Sequence, residues 1–427
     1  MISVEIERLT LEGLGVAHHG GKALLVRDAL PGEVVDVAVR ARHARFDEAT
    51  PKRYRTRSPD RREPACVHFG TCGGCALQML DPEAQVRHKT TATLEILERI
   101  GQIRPEQVDP PVSVQPWSYR RRVRLHCEIA SGGRLKVGYR AREGRGVLAL
   151  TQCPILTPAL AEWVVPLGEL LAPVSGCGPP SGIELAAGDQ GPAARLIARS
   201  GSASASLRDP GARLASRGLP IEGEDPVTGE DATGGPAFRR SYRLNEFDCE
   251  IAFRVADFIQ VHEEINRLLV HDLVTWADPS PAGNWLDLYA GVGNFSLPLA
   301  RRAGRVMAVE GDPVTCETLR YNVRRNGLSN VQVREADLGR SRETPGLDGR
   351  VEGIVLDPPR AGAARVLESL PRECPERLLY ISCHPATLAR DAARLVRDQG
   401  YRLARFRTYD MFPQTAHLEC LAFFHRP

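Results

Sequence analysis

NWLDLYAGVGNF, residues 284–295, sets an apolar run against a turn carrying Gly291 and Gly293. An apolar segment that ends in a glycine pair reads as a strand-to-helix turn, where the missing Cβ atoms let backbone come close to a ligand. The same type of strand recurs at RVMAVE (305–310), VEGIVLD (351–357) and LLYIS (378–382), mostly followed by helical stretches. From residue 251 onward the chain therefore predicts a doubly wound α/β sheet. Its end, YRLARFRTYDMFPQTAHLECLAFFHR (401–426), reads instead as two strands around a Pro-containing turn, an antiparallel addition to the sheet. Ligands of such sheets sit at the carboxyl ends of the strands, and Tyr289, Glu310, Asp357 and Cys383 all fall there. Glu310 stands where these folds accept hydrogen bonds from a ribose, and Asp337 closes a further segment, READLG.

The glycine turn lacks the G-x-G-x-x-G fingerprint of dinucleotide dehydrogenases and resembles that of a class I methyltransferase. Cys383, in LLYISCHPATLARD, ends a strand just before Pro385 opens a helix. The helix dipole favours a thiolate there, which makes Cys383 a candidate nucleophile, although a lone cysteine is more often a small core residue.

Five motifs in order, DFIQV (257–261), LDLYAGVGNFSLPLA (286–300), LDPPRAG (356–362), ISCHPATLARD (381–391) and HLE (417–419), resemble the RNA uracil-5-methyltransferase family. The resemblance implies S-adenosylmethionine as methyl donor, held by Gln260, Tyr289, Asn294, Glu310, Asp337 and Asp357. It also implies Cys383 as covalent nucleophile and Glu419 as the base. The roles suit the chemistry: carbon 5 of uracil is too weak a nucleophile until a thiolate adds at carbon 6, and the carbon 5 proton must later leave. One departure is His262, where the family commonly has asparagine after F-x-Q-V.

The amino-terminal half reads differently. Residues 1–57 alternate apolar and polar residues between glycine turns, which predicts a small antiparallel barrel. It ends in a basic stretch, ARHARFDEATPKRYRTRSPDRR, which carries Phe46 and Tyr54 and suits either phosphate contact and base stacking or a solvated linker. SYRRRVRL (118–125) likewise suits an RNA-backbone strand or a solvated face. EAQVRHKTTATLEILERI has helical spacing at Val86, Thr90, Leu94 and Leu97. Residues 200–240, rich in Gly, Ser, Ala and Pro, read as loops or disorder.

Eleven cysteines in a chain without a signal-peptide profile or an apolar run of bilayer length suggest a cytoplasmic protein with reduced thiols. Cys66, Cys72, Cys75 and the distant Cys153 suit zinc or iron–sulfur ligation. C-x5-C-G-G-C followed by x-L-Q resembles the 4Fe-4S motif of the family's ribosomal RNA branch. Cys127, Cys177, Cys249, Cys316, Cys374 and Cys420 are read as ordinary. The amino-terminal barrel resembles a TRAM domain, an oligonucleotide-barrel-like RNA-binding module.

The expected architecture is thus α/β: a TRAM-like barrel at 1–57, a central iron–sulfur domain at 58–250 and a methyltransferase domain at 251–427. Helix 82–100 is a candidate to pack on the last. With a net charge of only +3, RNA must be met by local basic patches. Ribosomal RNA is the favoured partner, transfer RNA the alternative, a catalytically silent RNA-binding iron–sulfur protein the third reading, and a monomer is expected.

Overall fold

The structure, a computed structural model, describes residues 1–144, 146–172, 178–199, 207–222, 240–340, 350–370 and 375–426. Its largest sheet has eight strands in the order Val331–Glu335, Arg305–Glu310, Asn284–Leu288, Gly353–Leu356, Arg377–Ser382, Glu419–His425, Arg402–Tyr409, Gln107–Val108. The first five run parallel and Glu419–His425 is antiparallel to both neighbours. The chain winds outward from Asn284–Leu288, returns, and continues on its other side. That reversal leaves a crevice beyond the carboxyl ends of Asn284–Leu288 and Gly353–Leu356, which is where ligands of open α/β sheets bind.

The doubly wound sheet and its antiparallel carboxyl-terminal hairpin agree with the sequence reading. Val331–Glu335 was not among the strands read: it lies at the sheet's edge with five half-buried or exposed residues, so its apolar signal is weak. Gln107–Val108 joins the far edge from the amino-terminal half, fixed by the Arg405–Asp109 ion pair at 2.6 Å.

Residues 2–54 form a six-stranded curled sheet. Ile2–Glu5 and Arg8–Leu9 lie at opposite ends of its strand order yet only two residues separate them in sequence, so the sheet bends round over Val4, Ile6, Leu24, Val26, Val35 and Val37. It is not wholly antiparallel as expected, because Lys22–Val26 pairs parallel with Phe46–Tyr54. The basic stretch supplies that strand and is no linker. Tyr54 donates to the Asp28 carbonyl at 2.9 Å and lies under Arg61, 4.7 Å from its ring centre, so its ring is already engaged.

A second, antiparallel five-stranded sheet contains Arg122–Ile129 at its centre. The arginines before and within this strand are a seam to the segment 242–260 that leads into helix Glu263–Ala277. Arg121 is buried over the Tyr242 ring at 4.2 Å and its Nε donates to the Gln260 carbonyl, while Arg122 bonds the Val255 carbonyl; Arg124 remains open to solvent. Of the segment read as loops, Arg208–Ser216 is a helix, because Leu214 and Pro210 pack inward against the central core; residues 223–239 lie outside the described part.

Helix Pro82–Ile96, capped by Asp81 and extended by a π-turn at Leu97–Gly101, packs on helix Pro385–Gln399 so closely that a Cβ on Gly101 would stand 2.8 Å from the Ala389 carbonyl oxygen. Among the described residues no helix is long and apolar enough to cross a membrane.

Candidate active site and cysteine pocket

Sheet register aligns the crevice residues before any side chain is considered. Leu288 pairs with Val309 on one side and Leu356 on the other, so the next step places Tyr289 beside Glu310 and Asp357. On the antiparallel side Ser382 pairs with Cys420, and one step further puts Cys383 opposite Glu419. Directly opposed residues have Cβ atoms roughly 5 Å apart. Residues read from four different strands thus share one rim.

At the glycine turn, Tyr289 takes a left-handed φ of 67°, and Gly291 (φ 54°) faces open space. The Glu310 carboxylate accepts the amides of Gly291 at 3.0 Å, Gly311 at 2.7 Å and Asp312 at 2.9 Å, which aims it across the turn. Asp337 is exposed and accepts from Gly339. Gln260 is buried, and its side-chain oxygen has no hydrogen-bond partner. An orphaned buried acceptor costs on the order of 1–3 kcal/mol and marks a place where a ligand donor fits. Asn294 is differently disposed: its amide forms a reciprocal pair with Asn266 at 2.9 Å each way and accepts from Tyr242. His262 is a packing residue, stacked 4.9 Å from the buried Tyr119 ring at the start of helix Glu263–Ala277, and burial lowers its pKa.

Cys383 stands among charges. Burial and then the Glu419 carboxylate push its thiol up to about 11, with Arg360 pulling the other way. Burial and two carboxyl groups thus oppose the thiolate that the helix terminus favours, an effect of typically about 0.3–1 kcal/mol. Glu419 is buried and raised, by desolvation and by Asp357; Asp357 is held up at about 7 by burial. Two neighbouring carboxyls in a desolvated site disfavour being ionised together.

Arg360 and His417 complete the rim, and sequence reasoning gave neither a role although both lie inside quoted motifs. The Arg360 guanidinium donates to His417 Nδ1 at 2.9 Å. Because a guanidinium only donates, that nitrogen carries the lone pair and Nε2 the proton. Burial, then Arg360, drives the His417 pKa down to about 4. Arg360 is itself presented by a packed loop: Asp391 is fully buried and accepts Ala363 N at 2.7 Å and Tyr380 OH at 2.8 Å, while Arg390 donates to the Ala361 carbonyl at 2.8 Å. Gly362 (φ 85°) is required there, since a Cβ would stand 2.4 Å from Asp391 Oδ2. The Arg-Asp pair ending one motif thus holds the loop of the other. Phe258, two residues from Gln260, is a large apolar ring left 64% exposed, which the sequence reading passed over. Its signal in the sequence was an apolar ring beside a polar ligand residue.

Cys66, Cys72, Cys75 and Cys153 line one cavity with His68, Phe69, Gln78 and Tyr139. Gln78 shapes it by accepting the Cys66 amide at 3.1 Å. Burial pushes Cys75 up to about 11 and Cys153 to about 12, the other thiols adding to both. Among the described residues no three His, Cys, Asp or Glu side chains converge tightly enough to hold a single metal ion.

A family profile described as tRNA (Uracil-5-)-methyltransferase matches residues 241–427. The chain is 39% identical to the 23S rRNA (uracil(1939)-C(5))-methyltransferase RlmD of Alkalilimnicola ehrlichii over 99% of its own length and 96% of that protein. It is likewise 39% identical to the RlmD protein of Stenotrophomonas maltophilia strain K279a over 99% and 96%. The fold matches the crystal structure of Pyrococcus abyssi tRNA (uracil-54, C5)-methyltransferase in complex with S-adenosyl-L-homocysteine, with a TM-score of 0.71 at 23% identity over 99% of this chain and 100% of that one. Sequence kinship over the whole length and the shared fold lead to one conclusion: the chain belongs to the RNA uracil-5-methyltransferase family.

Proposed function

We propose that the chain transfers a methyl group from S-adenosylmethionine to carbon 5 of a uridine in 23S ribosomal RNA. Full-length kinship to proteins named for that reaction supports the substrate, and the Cys383–Glu419 register pair is the observation that carries the mechanism. When bound, the cofactor supplies an activated methyl on a positively charged sulfonium. Gln260, Tyr289, Glu310, Asp337 and Asp357 would hold it; Asn294 would contribute only by releasing its pairing with Asn266.

The thiol of Cys383 and the carboxyls of Asp357 and Glu419 are all raised, and the positive charge of Arg360 favours the ionised thiol. Arg360 supports Cys383 as a thiolate, its thiol proton having passed to solvent, and the thiolate adds to uracil carbon 6, placing the displaced electron pair on carbon 5. After carbon 5 is methylated, Glu419 takes its proton, the carbon 5–carbon 6 double bond re-forms, and the Cys383 sulfur departs. Phe258 offers a face on which a flipped base can stack.

Four thiols lining one cavity suit a 4Fe-4S group, whose iron atoms would be held by Cys66, Cys72, Cys75 and Cys153. Its role in this reading is architectural. The curled sheet at 2–54 serves as a TRAM-like RNA-binding module, in line with the family's ribosomal members.

Two experiments test the reading. Mapping 5-methyluridine in ribosomal and transfer RNA from cells with and without this protein should show one loss in 23S RNA; a loss confined to transfer RNA overturns the substrate. Glu419→Gln should accumulate a slow-migrating covalent protein–RNA adduct, and normal turnover in that variant would refute the base assignment.

A further inference from the structure

Helix Pro82–Ile96 buries a polar stripe, Gln85, Lys89 and Thr93, spaced four residues apart. Such groups are buried only when satisfied. Gln85, 1% exposed, has three acceptors sharing the two N–H groups of Nε2, the carbonyls of Leu77 at 3.0 Å and Leu80 at 2.8 Å and Gln414 Oε1 at 2.9 Å, while Oε1 accepts the Gln414 backbone amide at 2.9 Å. Gln414 has a left-handed φ of 68°, and its carbonyl accepts the amides of Ala76 and Leu77, both at 3.0 Å. Ala76 directly follows Cys75. One helical turn on, Lys89 Nζ donates to Asp410 at 2.7 Å and to the Phe412 carbonyl at 3.1 Å, and Tyr119 donates to the Pro413 carbonyl at 2.9 Å.

The turn at 410–414 therefore has three successive carbonyls fixed from outside the catalytic hairpin, by residues 76–119. His417 and Glu419 follow within five residues, with little chain in between to absorb a displacement. A misplacement of about 1 Å at a reacting group can cost on the order of 100-fold in rate.

We propose that Gln85 is a positioning residue for proton abstraction: it locks the cysteine loop to the 410–414 turn and thereby sets Glu419 against the carbon 5 proton of the Cys383 adduct. The proposal rests on the reading of Glu419 as base. It makes the cysteine pocket and the catalytic rim mechanically continuous, so a change in the ligation of Cys75 reaches the base through Ala76, Leu77 and Gln414.

The test uses full-length, cluster-loaded protein, an unmodified 23S ribosomal RNA transcript, and Gln85→Met beside Glu419→Gln and wild type. Gln85→Met should leave iron content unchanged, S-adenosylmethionine binding within about twofold and adduct formation within about threefold, yet slow adduct resolution by about 100-fold. Amide hydrogen exchange across 410–419 should quicken by about tenfold or more. Tyr119→Phe, which removes one bond from the same turn, should show the same pattern at about fivefold, and decides the matter if Gln85→Met does not fold. Gln85→Glu, which keeps the acceptor for the Gln414 amide, should recover part of the loss. Resolution at the wild-type rate in Gln85→Met, or an equal fall in cofactor binding, adduct formation and resolution, overturns the proposal. Normal resolution in Glu419→Gln overturns the base reading instead, and the positioning role with it.

Discussion

Cys383 and Cys75 are both half-buried thiols pushed up to about 11, yet different neighbours surround them. Cys383 faces two carboxyls and an arginine that donates to a neutral histidine. Cys75 faces two more thiols of its own set, an amide and the edge of an aromatic cavity. Similar pKa shifts thus arise in two different settings. The first surrounds a thiol with groups able to give and take protons; the second gathers four thiols in one cavity with a single histidine, His68, among its lining. Burial sets the cost of ionising a thiol, and the neighbours decide what relieves it.

That contrast can be broken most sharply at Cys383 itself. Cys383→Ala should lower methylation by ~10⁴-fold or more while S-adenosylmethionine binding stays within about twofold, measured by tritium transfer and calorimetry. Retained turnover would end the covalent mechanism. Exchanging ligand for ordinary cysteine sharpens the other half: Cys153→Ser should abolish the visible absorbance of anaerobically purified protein and cost a few kcal/mol of stability, about what a structural metal site supplies, whereas Cys127→Ser should leave the colour intact.

Arg360 separates the two regions electrostatically. Arg360→Met should slow adduct formation by about 10–100-fold, since the remaining neighbours all oppose the thiolate. The sign with pH follows: the Cys383 pKa is raised, so the thiolate fraction of free enzyme grows about tenfold per pH unit below about 11, and adduct formation should climb from pH 6 to pH 9. His417, depressed to about 4, should give no inflection in that range. The smallest effect belongs to the loop that presents the arginine. Gly362→Ala, forced into a left-handed φ against Asp391, should cost about 1–3 kcal/mol in melting experiments and a few-fold in rate.

The two regions also differ in how legible they were. The catalytic rim announced itself because each member ends a strand: Tyr289, Glu310, Asp357 and Cys383 follow apolar runs, and parallel sheets bring such ends together whatever the intervening chain does. Arg360 and His417 were passed over because their roles come from each other across 57 residues, a distance pattern cannot bridge. The arginines of SYRRRVRL misled for the opposite reason: their charge suggests solvent or phosphate, but tertiary packing supplied carbonyls and an aromatic face to Arg121 and Arg122.

What the sequence determined by itself was periodicity and local chemistry: the doubly wound sheet, the glycine turn, the strand end that carries Cys383 and the four cysteines that gather in one cavity. Those features are local, fixed by the two-residue repeat of strands, the 3.6-residue repeat of helices and the backbone freedom of glycine. Only the tertiary structure decided protonation and partnership. It placed Glu419 against Asp357, gave Asn294 to Asn266, turned His262 into a packing ring and tied Gln85 to Gln414 across 329 residues. Charge states and buried amides depend on everything within a few ångströms in space, and those neighbours are chosen by the fold and not by the order of residues along the chain.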